Sequence, residues 1–227
     1  MAKKREGKET YHHGDLRRAL LDAALALLQT KDAKSLSLRE VAREAGVSHT
    51  APYRHFADKA ALMAAIAQEG FVEFGNYLQA AVTAAEAKPT ESLLATGVAY
   101  VRYALDHPTH FRVMFSHFPA DEPPESRLCQ VSKSTFQILV DIIAAGQAAG
   151  LMRAGDPQFI ALGKWSLVHG LAMLLLDGML PKEEEEQAIE LAQALIQENL
   201  TSLIVEGSIA KGPTVEGSIV ENSIVER

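Results

Sequence analysis

The chain has 227 residues, of which 48% are hydrophobic, and its 22 basic and 29 acidic residues give a formal net charge of −7. This size and hydrophobic share allow a substantial core and argue against a disordered chain. The single cysteine, Cys129, excludes an internal disulfide framework and favours a reducing compartment; a lone thiol of this kind is more often core or surface than nucleophile. The basic N-terminus lacks the apolar region of a signal peptide, and the longest apolar run, "LAMLLLDGML", is too short to span a membrane, so we expect a cytoplasmic protein with no membrane partner.

The charge is unevenly distributed along the chain. Residues 1–70 carry 12 lysines and arginines against 9 acidic residues, whereas residues 71–227 carry 10 against 20. A basic first part and an acidic remainder are typical of a DNA-binding head on an acidic body. Chance unevenness of two solvated faces is the alternative.

Helical periodicity dominates the first third of the chain, with helices predicted at 14–30, 37–45, 48–54 and 59–82. Ser37 and Glu40 form a capping-box pattern, and Ser48 and Asp58 stand where N-caps are expected. Gly46 stands where a helix ends in the left-handed conformation.

Longer helices follow, at about 90–106, 108–118, 124–149, 157–179 and 183–205, with Pro or Gly at each break. The sequence therefore predicts an all-α protein of about nine helices. We divide it into a flexible basic arm (1–13), a DNA-binding domain (14–74), a larger helical domain (75–205) and a low-complexity tail (206–227) that carries near-copies of the pentapeptide "VEGSI".

Helices 37–45 and 48–54, joined by "AGV", have the lengths, turn glycine and caps of a helix-turn-helix, which spans 37–56. The leading residues of its second helix are expected to face bases: Ser48, His49, Thr50 and Ala51. Residues expected at phosphates are Ser37, Arg39, Tyr53, His55 and Lys59. Pro52 removes one backbone donor at the fourth position of this helix and should distort its first turn. An ordinary helical subdomain remains the alternative.

The segment "LSLREVAREAGVSHTAPYRHFADKAAL" (36–62) resembles the DNA-binding head of TetR-family transcriptional regulators. The resemblance implies a homodimer that binds a near-palindromic operator, usually represses, and is released by a small molecule bound in the C-terminal body. It places residues 48–51 at bases, Ser37, Tyr53 and Lys59 at the DNA backbone, and Val41, Val47 and Phe56 in the core.

The segment "KWSLVHGLAMLLLDG" (164–178) resembles the Trp-His-Gly signature of the WHG-type C-terminal domain of one TetR subgroup. We hypothesise a ligand pocket among helices 90–179, with Trp165 and His169 near it. Its apolar walls would be Tyr100, Tyr103, Phe111, Met114, Phe115 and Phe136. A buried stack whose N–H groups are satisfied inside the core is the alternative for Trp165 and His169.

By the same analogy, helices 157–179 and 183–205 would pair with their mates in a dimer, through apolar faces that equally suit packing within one chain. The faces are Leu167, Leu171, Leu174 and Leu175 on one helix, and Ile189, Ala192, Leu195, Ile196, Leu200 and Leu203 on the other.

Other functional classes have weaker support. His107, His110 and His117 suggest a metal, but no cysteine or glutamate stands at a spacing that completes the site, so we expect neither metal nor cofactor. Phosphate-binding loops, nucleophile elbows and paired catalytic carboxylates are missing from the sequence, which argues against an enzyme. A helical adaptor or a small-molecule-binding protein without DNA function remains as an alternative to the regulator.

Overall fold

The computed structural model describes residues 13–116, 123–180 and 185–205, and within these ranges the chain is all-α, as predicted. The helices are α1 (His13–Leu28), α2 (Leu38–Glu44), α3 (Lys59–Ala84), α4 (Pro89–Asp106), α5 (Pro108–Ser116), α6 (Arg127–Ala148), α7 (Pro157–Leu176) and α8 (Glu185–Thr201). Two 3₁₀ turns, Ala33–Ser35 and Pro52–Arg54, lie on either side of α2. The predicted N-terminal arm and repeated tail fall outside the described residues except at His13, which opens α1.

The head consists of α1, α2, the second 3₁₀ turn and the first part of α3. Its core is made by buried side chains of the three helices and of one residue in the loop before Asp58, namely Leu20, Leu21, Val41, Leu62 and Phe56. Their burial explains why the apolar residues of this region recur at three- and four-residue spacing. These side chains are continuous with the hydrophobic core of the body and pack α1 against α2 and α3.

The predicted α-helix over 48–54 is wrong, since only Pro52–Arg54 are helical and they form a 3₁₀ turn. Pro52 has no N–H to donate to the carbonyl of Ser48, which instead accepts from Ala51 N at 2.9 Å, three residues on. His55 N likewise donates to Pro52 O at 2.9 Å. Ser48 does not cap this turn, because Ala51 is its N-cap residue. The Ser48 hydroxyl instead lies 3.2 Å from that of Thr50. The described residues accordingly hold eight α-helices where about nine were expected.

Helix α3 belongs to both parts of the molecule. Its 26 residues reach about 39 Å, and it packs against α1, α4, α5 and α6. The body closes around it with a core of large buried side chains: Phe74, Tyr103, Phe111, Met114, Ile143, Leu175 and Leu203. Asp58 caps α3 as predicted, its carboxylate accepting from Ala61 N at 2.8 Å.

The last described residues return to the α6–α7 connection. Met152 and Ile204 form an antiparallel bridge, in which Arg153 N donates to Leu203 O at 2.8 Å and Val205 N donates to Leu151 O at 3.1 Å. This pairing ties the residues after α8 to the body, and α8 stops at Thr201 rather than at 205.

By length and composition alone, α6 and α7 are apolar enough to cross a membrane, which differs from the sequence expectation. That expectation rested on unbroken apolar runs, whereas each helix as a whole contains few charges. Core helices of soluble proteins have the same property, and both helices contribute buried residues to the body.

Candidate nucleic-acid interface and ligand pocket

The turn after α2 is a Schellman motif. Gly46 has φ +67°, Gly46 N donates to Arg43 O at 3.1 Å, and Val47 N donates to Ala42 O at 2.9 Å. At the other end of α2, Ser37 and Glu40 form the predicted capping box. Both ends of this short helix are therefore fixed, so the direction in which the chain leaves it is fixed as well.

Several polar residues of the two segments are exposed at the surface of the head. Arg39 on α2 and Ser48, His49 and Thr50 after the turn are exposed, and Tyr53 exposes 53% of its surface. Arg43 and Arg54, which the sequence analysis did not select, are also exposed. Basic residues three or four positions apart on α2 were the signal that could have identified Arg43.

Two predicted base or phosphate contacts lie elsewhere. Ala51 is 9% exposed and packs inward, so its methyl group does not offer a surface to a thymine methyl. His55 turns Nε2 into the protein, where this nitrogen has no hydrogen-bond partner among the described residues. Ala51 and His55 flank the 3₁₀ turn, as its N-cap and C-cap residues.

Lys59 and Ser37 have structural partners. The Lys59 ammonium donates to Ala33 O at 3.2 Å and to Lys34 O at 2.8 Å, which anchors the 3₁₀ turn before α2 to the start of α3. The Ser37 hydroxyl donates to Glu40 Oε2 at 2.9 Å. Hydrogen bonds from Lys31 and Ser37 hold the pKa of Glu40 below its usual value, so a carboxylate occupies the helix end where a phosphate was predicted.

A pocket of about 400 Å³ lies in the body between α3 and α6. Its described lining is Phe71, Phe74, Leu78, Tyr100, Met114, Phe115, Ser132, Lys133, Thr135, Phe136, Leu139 and Trp165. The walls are therefore mainly aromatic and aliphatic. Thr135 is buried, and its hydroxyl donates to Val131 O at 2.8 Å. Lys133 is the charged side chain among these described residues.

A chain of hydrogen bonds runs from the pocket wall into the core. Trp165 Nε1 donates to the Tyr100 hydroxyl at 3.0 Å, and this hydroxyl lies 2.9 Å from His169 Nδ1. The hydroxyl donates to Nδ1 in the neutral imidazole tautomer that carries its proton on Nε2. Burial favours this state, since it lowers the pKa of His169 and raises the pKa of Tyr100.

The predicted pocket residues separate into two groups. Tyr100, Met114, Phe115, Phe136 and Trp165 line the cavity. The other three, Tyr103, Phe111 and His169, do not. His169 stacks on the Phe111 ring at 5.7 Å behind Tyr100, and Tyr103 is buried with its hydroxyl 3.2 Å from Gly70 O.

The sequence analysis missed the contribution of α3 to this pocket. Phe71, Phe74 and Leu78 are spaced by three and four residues and form one face of that helix. The spacing was visible, but the pocket was sought among helices 90–179 only.

Two family models match the chain. Residues 20–66 match "Bacterial regulatory proteins, tetR family", and residues 93–198 match "Tetracyclin repressor-like, C-terminal domain". The first match covers α2, the turn and the exposed polar residues of the head, and the second covers most of the body. The WHG-type subgroup stays a prediction.

Similar proteins agree with these matches. A solved structure of a protein with unknown function from Rhodococcus sp. RHA1 has 36% identity and a TM-score of 0.71, over 85% of this chain and 98% of that one. A regulatory protein in the tetR family from Rhodococcus RHA1 has 23% identity and a TM-score of 0.68, over 83% and 96%, which shows the fold. An uncharacterized HTH-type transcriptional regulator from Haemophilus influenzae is 60% identical over 43 residues, which are 18% of this chain; the match spans about a fifth (21%) of that relative's length.

Proposed function

The chain belongs to the tetR family of bacterial regulatory proteins, and from this premise we propose that it is a ligand-responsive repressor of transcription. The family is one of regulatory DNA-binding proteins rather than of enzymes. We propose that a homodimer acts in the cytoplasm, binds a near-palindromic operator through two heads, and leaves it when a small molecule binds the body. The observation that carries this proposal is that α3 begins at the helix-turn-helix and lines the pocket.

In the proposed complex, the head enters the major groove with the exposed residues after the turn. Ser48, His49 and Thr50 offer hydroxyl and imidazole groups to base edges. Tyr53 and the exposed arginines Arg39, Arg43 and Arg54 offer donors to phosphates. Lys59 acts indirectly, by holding the 3₁₀ turn before α2 through two carbonyls.

The pocket indicates the chemistry of the effector. A volume of about 400 Å³ suits a drug-sized molecule. Its aromatic and aliphatic lining favours an apolar or aromatic body, and Lys133 favours a negatively charged group on that body. A ligand that binds better to the conformation in which the two heads do not fit successive major grooves shifts the dimer off DNA.

The dimer contact is proposed on the outward face of α7. Phe159, Leu162 and Leu174 are exposed by 75%, 47% and 45%. Gly163 and Gly170 lie on the same face, and space for a Cβ is open at both, so another helix can approach closely. Leu195 of α8 is also exposed. Most residues expected at this interface pack instead within the chain, namely Leu171, Leu175, Ile189, Ala192, Ile196, Leu200 and Leu203.

The test of the proposed function is footprinting on the DNA upstream of the protein's own gene and its neighbour, followed by a salt titration. We expect protection of a near-palindromic site, with log affinity falling steeply against log salt because several phosphates are contacted. Reporter expression that rises when the gene is deleted would identify a repressor. An absence of DNA binding at low salt would contradict the proposal and favour the adaptor.

The effector is tested through the only tryptophan of the chain, Trp165. A compound that releases the operator should change Trp165 emission, because the indole lines the pocket. His169→Ala should weaken binding of the same compound by removing the acceptor that orients Tyr100. Release of DNA with unchanged emission and unchanged affinity in the variant would place the effector elsewhere.

A further inference from the structure

The structure brings together one carboxylate and two imidazoles that are distant in sequence. Glu73 lies on α3, His107 is the C-terminal cap of α4, and His110 lies in the first turn of α5. One ligand atom from each, a carboxylate oxygen or a ring nitrogen, lies within 4.8 Å of the other two. Sequence spacing did not indicate this group, because Glu73 comes from another helix, and the third histidine considered there, His117, lies outside the described residues.

We propose that Glu73, His107 and His110 bind a divalent zinc ion. Two imidazole nitrogens and one carboxylate oxygen, with water in the fourth position, are a ligand set that zinc takes in proteins. Magnesium and calcium prefer oxygen ligands alone, so this group does not suit them. A tetrahedral zinc site places its ligand atoms about 3.4 Å apart, so the three side chains need to approach by roughly an ångström.

The surroundings of the three residues support a site rather than an accidental meeting. The Tyr103 hydroxyl lies 3.4 Å from Glu73 Oε2, and the Tyr103 ring packs on the His107 ring with centroids 4.6 Å apart. One buried side chain therefore positions two of the ligands, as outer-shell residues do in metal sites. His110 Nε2 is buried and has no hydrogen-bond partner among the described residues, so it is available as a ligand atom. Glu73 is exposed, which gives an ion a route of entry.

The proposed zinc site lies next to ion pairs that link α3 to α1. Glu69, one turn before Glu73 on α3, accepts from Arg17 of α1 at 2.9 Å and lies 3.5 Å from Arg18. Zinc would tie α3 to the corner between α4 and α5 next to these ion pairs. The site thus lies in the body, one helical turn from the ion pairs that link α3 to α1.

The test uses the full chain, stripped of metal with a chelator and titrated with zinc by calorimetry and with cobalt by visible absorption. We expect one zinc ion per chain and the absorption bands of tetrahedral cobalt. The test variants are Glu73→Gln and the double variant His107→Gln/His110→Gln. Each should weaken zinc binding at least 100-fold, since even loss of an outer-shell partner costs about 10- to 100-fold.

Matched controls separate this site from other histidines and carboxylates. His12→Gln/His13→Gln and Glu198→Gln should bind zinc like the unaltered chain. Circular dichroism of each metal-free variant reports folding, and zinc should raise the melting temperature of the unaltered chain but not that of the test variants. The proposal is overturned if the chain binds no zinc at about 100 μM, if both test variants keep its affinity, or if only the His12/His13 variant loses it. Because the readout is metal binding, the result is independent of DNA binding.

Discussion

At the scale of single residues, the Tyr100 hydroxyl connects the pocket with the core. It accepts from Trp165 at 3.0 Å and lies 2.9 Å from His169 Nδ1. The indole of Trp165 lines the pocket, and its N–H is satisfied by a core residue, while ligand binding there stays a prediction. A ligand that displaces the indole also disturbs the bond between Tyr100 and His169, so these three residues respond together.

His169 should make stability depend on pH. Its pKa in the folded protein is lowered by burial, while in the unfolded chain it is about 6.5. Above that pH both states are neutral; as the pH falls below it, the unfolded state takes up the proton first and the folded state loses stability. The loss is a fraction of the limiting 1.4 kcal/mol per pH unit, because His169 is only half-buried.

The measurement is urea denaturation between pH 7.5 and pH 5. His169→Gln keeps an acceptor for Tyr100 but cannot titrate, so we expect its stability to fall less over this range than that of the unaltered chain. Burial also lowers the pKa of His110, which contributes equally to both proteins. Identical pH profiles would show that His169 does not carry this dependence.

Gly46 carries a backbone prediction. Its φ of +67° is unfavourable for a residue with a Cβ, although a Cβ there would meet no atom within 4 Å. Gly46→Ala should therefore cost about 1 kcal/mol of unfolding free energy through the backbone alone. Gly46→Asn, which tolerates this conformation, is the control and should cost less. Equal losses in denaturant titrations would point to a contact instead.

At the scale of elements, the segment 48–55 is a turn region, with a 3₁₀ turn at Pro52–Arg54, rather than the α-helix predicted for 48–54. Pro52 is buried and begins a 3₁₀ turn. Because it has no N–H, the carbonyl of Ser48 lacks the donor that an α-helix would provide four residues later. Ser48, His49 and Thr50 precede this turn and are exposed, whereas Ala51 packs inward. The proline therefore helps determine which of the leading residues are exposed.

Pro52→Leu tests this conclusion. Leucine restores the backbone donor, so the segment can become α-helical and Ala51 and His55 can rotate outward. We expect the preferred operator sequence to change, as measured by selection from a random DNA library, with a change in unfolding free energy below about 1 kcal/mol. A shifted melting temperature with unaltered operator preference would argue that Pro52 acts on stability only.

Most elements could be predicted from the sequence because each is determined locally. Asp58 caps α3 through its own carboxylate, and the Ser37–Glu40 box starts α2, so short-range patterns were sufficient. The segment 48–54 was located correctly, but its α-helical conformation was predicted wrongly because a single absent N–H changes its hydrogen bonding. The pocket face of α3 and the approach of Glu73 to His107 and His110 depend on how helices pack, which periodicity within one helix does not report.

At the scale of the whole molecule, α3 and α7 both line the pocket, and each also connects it with another part of the protein. Helix α3 has ion pairs to α1 through Glu69 and lines the pocket through Phe71, Phe74 and Leu78. Helix α7 contributes Trp165 to the same pocket on one face and presents apolar and small residues outward on another. The pocket is therefore lined both by the helix that leads from the head and by the helix proposed to form the dimer contact.

The outward face of α7 gives the prediction for assembly. Leu174→Glu places a charge where two copies of α7 should meet, and burying an unpaired charge costs several kcal/mol. We expect sedimentation at micromolar concentration to show a dimer for the unaltered chain and a monomer for the variant, a loss of at least about 100-fold in dimer affinity. The variant should also bind the operator much more weakly, because one head contacts one half-site.

Val72→Glu is the matched control, since Val72 is 41% exposed on α3, away from that face. It should remain dimeric. A dimer in the Leu174 variant would place the contact on another surface, and a monomer of the unaltered chain would contradict the proposed assembly.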